Sequence, residues 1–243
     1  EYADKLLEGL NEVDYLPNIK TQQINWIGKS RGAFVKFGLT GADDELEIYT
    51  TRPDTLFGVT FMVMAPEHPL LDKYKDKINN FAEVEAYREE CTKKSEFERT
   101  QLVKDKTGVR IDGIMGVNPV SGKEIPIYIS DYVMMGYGTG AIMAVPAHDE
   151  RDYDFARKFG IDIIEVIKGG DISEAAYTGE GEMINSGFLN GLTNKKESID
   201  RMIDYLAEKG IGKAGVQYKM KDWAFNRQRY WGEPIPIVHC PHC

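Results

Sequence analysis

The sequence predicts a mixed α/β fold, in which a few peripheral helices cover a curved or barrel-like, mostly antiparallel sheet. Two alternating segments, residues 34–39 (FVKFGL) and 46–51 (LEIYTT), flank the turn GADDE and predict a hairpin. Two more strand-like segments, residues 109–117 and 125–130, are joined by the turn NPVSGKE. Helical segments do not follow the strands regularly, which argues against a doubly wound parallel sheet.

The remaining elements are predicted from periodicity and breakers. Apolar runs predict buried strands, and amphipathic spacing predicts helices that glycines terminate. The predicted strands are residues 58–66, 140–146 and 161–167, and the predicted helices are residues 1–10, 70–98, 150–160 and 193–210. Residues 13–30 predict a connector in which Pro17 breaks regularity and Trp26 and Ile27 act as anchors, and residues 168–191 predict a glycine-rich loop.

Composition bounds the class of protein. With 243 residues, 42% hydrophobic and 28% charged, the chain predicts a soluble globular protein with a sizeable core. Apolar runs fall short of the roughly 18 residues that a membrane span needs. A net charge of −9 argues against a general nucleic-acid coat but permits local binding by a few donors. Three cysteines favour a reducing compartment, and we expect a cytoplasmic location.

The organisation along the chain predicts three parts. Residues 1–30 form a connector, residues 31–215 form the main domain, and residues 216–243 form an aromatic, basic return segment. The first residues lack both an initiator Met and the pattern of a signal peptide, which is typical of a piece of a longer protein. Cys240 and Cys243 make half a zinc site, so zinc is expected only with ligands from elsewhere, and no metal is predicted in the main domain.

The first motif of interest, the threonine motif, comprises residues 50–58 (TTRPDTLFG). Threonines at a strand end are ordinary strand residues, and Asp54 with Thr55 predicts a capped turn after Pro53. The functional alternative is that three hydroxyls and exposed amides converge on one point and position an ester and a water.

The second motif, the acidic motif, comprises residues 138–152 (GTGAIMAVPAHDERD). Acids at a helix start are favoured by the helix dipole, whether or not they have a function. His148 can be a general base only within hydrogen-bond reach of the attacking water. The motif has no second histidine at metal-ligand spacing, and the chain has neither a G-x-S-x-G elbow nor a phosphate-binding P-loop.

Together, TTRPDTLFG and GTGAIMAVPAHDERDYDFA resemble the editing domain of bacterial-type leucyl-tRNA synthetases. NWIGKS resembles the exit into that insertion, and DWAFNRQRYWG with PIPIVHC resembles the return to the catalytic domain, with Ala224 and Phe225 departing from the usual residues. The resemblance implies hydrolysis of tRNA(Leu) mischarged with norvaline, isoleucine, valine or methionine. Such a second sieve is needed because a hydrophobic pocket separates side chains differing by a methylene by only about 1–3 kcal/mol.

The resemblance also implies roles for individual residues. Asp152 corresponds to the carboxylate that binds the α-ammonium, where a charge-assisted hydrogen bond fixes the ester. Thr55 corresponds to a gate whose bulk excludes the branched leucine side chain. The other residues implied as catalytic face the terminal adenosine and the scissile ester: Thr50, Thr51 and Arg52.

Five further positions are implied as substrate-binding. Met143 and Val145 match the side-chain pocket, Tyr137 matches a nearby support, and His148 and Asp149 also match the family motif. Because no side chain has the pattern of an activated nucleophile, we expect water to attack with help from the substrate's ribose hydroxyls.

The resemblance implies no cofactor for editing, whereas the parent enzyme would use ATP and Mg²⁺ at an aminoacylation site whose signatures are absent here. The implied partners are the 3′ end of mischarged tRNA(Leu) and the rest of a synthetase chain, with no membrane and a monomeric state. Two alternatives stay open. The isolated chain could be an inert module that binds the tRNA end, or it could be an editing domain of the valyl or isoleucyl type.

Overall fold

A computed structural model describes residues 2–95, 98–99, 107–135 and 138–220. The contacts divide the chain into a larger compact unit, Arg31–Gln217, and a second unit made of residues on either side of it. Within the second unit the described residues are 2–30 and 218–220.

The second unit contains two helices, α1 (Ala3–Gly9) and α2 (Pro17–Ile27). The prediction that Pro17 interrupts regular structure was wrong, because this proline occupies the first helical position, where its missing N–H costs nothing. Gly28 ends α2 with a left-handed φ of 58°. Of the two predicted anchors, Ile27 is buried, but Trp26 is 69% exposed.

The larger unit is built on a seven-stranded, mostly antiparallel sheet in the order β2-β1-β4-β5-β3-β6, with β9 also paired to β1. β3 and β5 run parallel to each other. The strands, together with the two that form a separate small ribbon, are β1 (Lys29–Leu39), β2 (Glu45–Thr50), β3 (Phe61–Met64), β4 (Val109–Val117), β5 (Glu124–Ile129), β6 (Ala141–Ala144), β7 (Ile167–Lys168), β8 (Glu182–Met183) and β9 (Gly212–Tyr218).

The sheet is strongly curved, as predicted, but it is not a closed barrel. β2 and β6 lie at the two ends of the strand order, yet they approach each other closely. Among the described strands no hydrogen-bonded ladder joins these two. The curvature brings β2, which ends at Thr50 of the threonine motif, near β6 of the acidic motif.

The described part of the larger unit also contains the helices α3 (Pro69–Lys73), α4 (Phe81–Thr92), α5 (Glu150–Phe159) and α6 (Lys195–Glu208). The predicted helix over residues 70–98 is therefore interrupted. The interruption has a physical cause, because Ile78 is buried and the Asn79 amide donates to the Asp112 carbonyl of β4 instead of continuing a helix.

The two faces of the sheet are buried in different clusters. Met62 and Met64 of β3 face the main core, whereas Phe61 and Val63 face a smaller cluster beneath α5. In that smaller cluster Phe155 stacks on Phe61, with ring centroids 5.1 Å apart. The aromatic stack fixes α5 on the sheet, and α5 carries the last acid of the acidic motif in its first turn.

Candidate functional site

The threonine and acidic motifs contact each other. β3 follows the threonine motif directly and pairs antiparallel with β6 of the acidic motif. At the end of the threonine motif, a Cβ placed on Gly58 would lie 3.2 Å from Val145 Cγ1, so only glycine allows this approach without displacement. The two motifs that the sequence singles out therefore form one region of the larger unit.

Arg52 is the organising residue of the threonine motif. Its amide donates to Thr50 Oγ1 at 3.0 Å, and its carbonyl accepts both the Thr55 amide at 3.1 Å and the Thr55 hydroxyl at 2.9 Å. Pro53 comes next and begins a 3₁₀ turn, Pro53–Gly58. The main chain at Arg52 is thus held from both sides.

The side chain of Arg52 is held as well. Its guanidinium makes a two-point ion pair with Asp54, with Nε–Oδ1 at 3.0 Å and Nη2–Oδ2 at 2.8 Å. Asp54 is fully buried, whereas the Arg52 side chain is 28% exposed. The sequence predicts Asp54 only as a turn residue, and this ion pair was not predicted, although the i, i+2 spacing of Arg52 and Asp54 offers a signal for it.

The hydroxyls of the motif do not all converge on one open point. Thr55 is 2% exposed, and its hydroxyl is used on the Arg52 carbonyl. Thr50 is 9% exposed, and its hydroxyl oxygen accepts the Arg52 amide. Thr51 is exposed at the end of β2. The structure therefore corrects the expectation of three equivalent hydroxyls: Thr51 faces outward, while Thr50 and Thr55 hold the motif in shape.

Gly32 is a second residue near the threonine motif that was not predicted from the sequence. It lies on β1 beside the end of β2, and a Cβ at this position would lie 2.1 Å from the Thr50 carbonyl oxygen. Because a glycine within a strand often marks a close backbone approach, the signal was present in the sequence. The position of Thr50 depends on this absence of a side chain.

Asp152 lies in the first turn of α5 and is 7% exposed. Its Oδ2 accepts the Val145 amide at 2.8 Å, which ties the carboxylate to the end of β6. The start of a helix favours this negative charge. Asp152 is therefore bonded to Val145, whose side chain leaves too little room for a Cβ at Gly58, so the acid belongs to the region that the two motifs share.

Asp149 is the N-cap of α5. Its Oδ1 accepts the amides of Arg151 at 2.9 Å and Asp152 at 3.2 Å. Asp149 therefore has the structural role of a helix cap, and its bonds orient the helix turn that carries Asp152.

His148 makes hydrogen bonds through both ring nitrogens. Nδ1 lies 2.8 Å from the Tyr177 carbonyl, and Nε2 accepts the amides of Val166 and Ile167, both at 3.0 Å. Burial lowers the pKa of His148, so the neutral ring is favoured. With its lone pair used by two amides, His148 anchors the main chain rather than activating a water. The predicted strand over residues 161–167 is wrong, because only its last residue belongs to a strand, Ile167–Lys168. The Val166 amide donates to the His148 ring instead of to a neighbouring strand.

The remaining predicted positions lie on or near β6, or outside the described residues. Met143 is half-buried on β6, opposite Met62, and Val145 is 6% exposed. Tyr137 lies outside the described residues, as do Cys240 and Cys243. Gly138 and Gly140, which precede β6, adopt left-handed φ values of 72° and 76°, as their pattern predicts.

A separate cleft of about 320 Å³ opens near Arg110, Tyr128 and Phe159, and none of the predicted site residues lines it. Across residues 2–95, 98–99, 107–135 and 138–220 no group of three histidine, cysteine or acidic side chains is arranged to hold a metal ion. Within the same ranges no helix is long and apolar enough to cross a membrane.

Comparison with known proteins agrees with this geometry. The family model described as "Leucyl-tRNA synthetase, editing domain" matches residues 24–207. A leucine–tRNA ligase from Alkaliphilus oremlandii (strain OhILAs) is 58% identical over 245 residues, covering 100% of this chain and 30% of that protein.

A solved structure gives the same result. It is described as the crystal structure of the ternary complex of Agrobacterium radiobacter K84 agnB2 LeuRS-tRNA-LeuAMS, and it matches with a TM-score of 0.76 at 36% identity. The match covers 100% of this chain and 27% of that one, so the chain spans less than a third of the length of these relatives. The family is the leucyl one rather than the valyl or isoleucyl alternative. With the two motifs joined on a curved open sheet and the family match covering most of its length, the chain belongs to the leucyl-tRNA synthetase editing-domain family.

Proposed function

We propose that this chain hydrolyses the ester of tRNA(Leu) mischarged with norvaline, isoleucine, valine or methionine. The observation that supports this most strongly is the junction of the two motifs, in which Asp152 accepts the Val145 amide while the Val145 side chain lies too close to Gly58 of the threonine motif to leave room for a Cβ there. The junction sets a buried acid beside a largely apolar wall and a polar turn. An aminoacyl ester needs all three kinds of surface.

In the proposed reaction Asp152 binds the α-ammonium that every aminoacyl-tRNA carries. Because its carboxylate is fixed by the Val145 amide, it is oriented before the substrate arrives. Met143 and Val145 contact the amino-acid side chain, and Thr55 limits the space for a γ-branched one. The second sieve is then steric, since the Thr55 hydroxyl is already used on the Arg52 carbonyl.

The chemical step adds water to the ester carbonyl carbon. The bond from that carbon to the ribose oxygen breaks, the ribose oxygen takes a proton, and the products are the free amino acid and uncharged tRNA. His148 is not assigned the general-base role, because its acceptor nitrogen is occupied. We assign the orientation of the water to the exposed Thr51 hydroxyl and the substrate's ribose hydroxyls, with no cofactor.

We propose that the physiological setting is a longer, monomeric, cytoplasmic leucine–tRNA ligase whose remaining chain uses ATP and Mg²⁺ to charge tRNA. The chain's −9 charge fits a role in which a few donors hold one tRNA end rather than coat a nucleic acid. The rest of the synthetase chain would bind the body of the tRNA.

The test is a deacylation assay with tRNA(Leu) carrying norvaline, isoleucine, valine, methionine or leucine, using both the isolated chain and a full-length relative with this segment in place. We expect the full-length protein to release the first four amino acids and to spare leucine. Binding of tRNA by both proteins without release of any noncognate amino acid would favour an inert tRNA-end-binding module instead.

A further inference from the structure

We propose that Asp54 is a positioning residue that presents the Arg52 guanidinium to the 5′-phosphate of the terminal nucleotide of the tRNA. This inference rests on the proposed function, because it takes the tRNA end as the ligand. It adds a residue and a chemical role that the motif resemblance did not supply.

The ion pair is asymmetric. Asp54 has a side chain only 1% exposed, whereas that of Arg52 is 28% exposed. Asp54 takes the Nε donor of Arg52 and one donor of Nη2. A guanidinium has five N–H donors, and no protein acceptor among the described residues bonds to Nη1. The pair therefore fixes one edge of the guanidinium and leaves further donors for a ligand.

The fixing extends to the main chain. Thr50 and Thr55 hold the amide and the carbonyl of Arg52, and Pro53 restricts its backbone. Arg52 and Asp54 also line a small crevice together with Gly179, Glu180, Gly181 and Lys195. With few rotamers left to lose, the guanidinium binds a ligand at little entropic cost.

The chemistry of the substrate selects the ligand. Two parallel N–H groups of an arginine match a phosphate or a carboxylate. The amino acid on a charged tRNA offers no carboxylate, because it is esterified, and its ammonium is repelled by arginine. The anionic group at this end of the substrate is the phosphodiester that precedes the terminal adenosine.

The experiment measures equilibrium binding of two non-hydrolysable amide analogues of 3′-norvalyl-adenosine, one with and one without a 5′-phosphate. The proteins are the wild-type chain, Asp54→Asn, Arg52→Gln, the double variant and Asp54→Glu as the charge-retaining control. In wild type we expect the phosphate to tighten binding about tenfold, which corresponds to roughly one charge-assisted contact. Asp54→Asn and Arg52→Gln should each remove this gain, the double variant should lose no more than either single one, and Asp54→Glu should recover part of it.

Binding of the phosphate-free analogue reports whether the site is intact in each variant. It should stay within about twofold of wild type in Asp54→Asn, whereas equal losses for both analogues would assign Asp54 a purely structural role and overturn the proposal. A wild-type protein without any phosphate gain would overturn it as well. Failure of the proposed function would differ, because mischarged tRNA would then persist although the analogues bind.

Discussion

The Asp152 carboxylate accepts the Val145 amide at 2.8 Å, so the acid proposed to bind the ammonium is fixed to a residue proposed to contact the amino-acid side chain. The contact spans the junction between β6 and α5. Under the proposed function, this contact links the residue that binds the α-ammonium to a residue that contacts the amino-acid side chain.

Two substitutions at Asp152 distinguish the effect of its charge from the effect of its hydrogen bond to the Val145 amide. Asp152→Asn keeps an oxygen that can accept the Val145 amide, whereas Asp152→Ala leaves that buried amide without this partner. Both should lower deacylation of all mischarged tRNAs about 10- to 100-fold, because the charge-assisted bond to the ammonium is lost. Only Asp152→Ala should also lose about 1–3 kcal/mol in urea unfolding. An Asp152→Asn protein with wild-type deacylation would remove Asp152 from the ammonium role.

Substitutions at Thr55 decide between a steric gate and a hydrogen-bonding one. Thr55→Val keeps the volume and removes the bond to the Arg52 carbonyl, so it should still spare leucyl-tRNA while losing about 1 kcal/mol of stability. Thr55→Ala should admit leucine and cleave leucyl-tRNA. Deacylation rates on leucyl- and norvalyl-tRNA measure both effects, and cleavage of leucyl-tRNA by Thr55→Val would show that the hydroxyl, not the bulk, matters.

His148 gives the fold a defined dependence on pH. Burial lowers its pKa from the ordinary value of 6.5, and burial lowers that of His68 in the same way. The unfolded chain therefore takes up a proton at a higher pH than the folded one. The stability that these two neutral histidines contribute is fully present above about pH 6.5, and it is lost as the pH falls from there through their folded pKa values.

The measurement is the free energy of unfolding from pH 7.5 to 5.5. His148→Gln should flatten the slope by the contribution of one histidine, while the contribution of His68 should remain, and it should lower stability at pH 7.5 because three main-chain partners are disturbed. If both proteins showed the same slope, His148 would titrate alike in the folded and unfolded states.

Gly32 and Gly38 form a matched pair on β1. A Cβ at Gly32 would lie 2.1 Å from the Thr50 carbonyl oxygen, whereas one at Gly38 would make an ordinary 3.8 Å contact with Val117. Gly32→Ala should cost about 1–3 kcal/mol and reduce deacylation by displacing Thr50, because main chain has to move. Gly38→Ala should change both quantities little. Comparable losses in the two variants would show that β1 tolerates no added side chain and that Gly32 has no particular link to the site.

Much of the fold was predictable from local pattern. The hairpin of β1 and β2, the β4–β5 pair, and α5 with its Gly160 terminator were predicted, because alternation, turn residues and a left-handed cap act within a few residues. The helix α2 was missed and predicted to be a connector, since a proline at the first position of a helix and a proline in a connector have the same local sequence pattern.

The sequence singled out the two motifs but not the contacts that their residues make. Sequence placed the hydroxyls and acids in two motifs, but the partner of each polar atom depends on three-dimensional proximity. His148 binds main chain 18 and 29 positions away, and Thr55 uses its hydroxyl on a neighbour rather than on a ligand. Such pairings are set by packing, which local pattern does not encode.

The close approach of Gly58 to Val145 bears on efforts to reshape the amino-acid pocket. A bulkier residue at either position pushes the 3₁₀ turn that carries Thr55, so a larger side chain at one position displaces the residue at the other. Laboratory evolution of altered amino-acid preference should therefore randomise both positions jointly, since beneficial changes at one become tolerable only with a compensating change at the other.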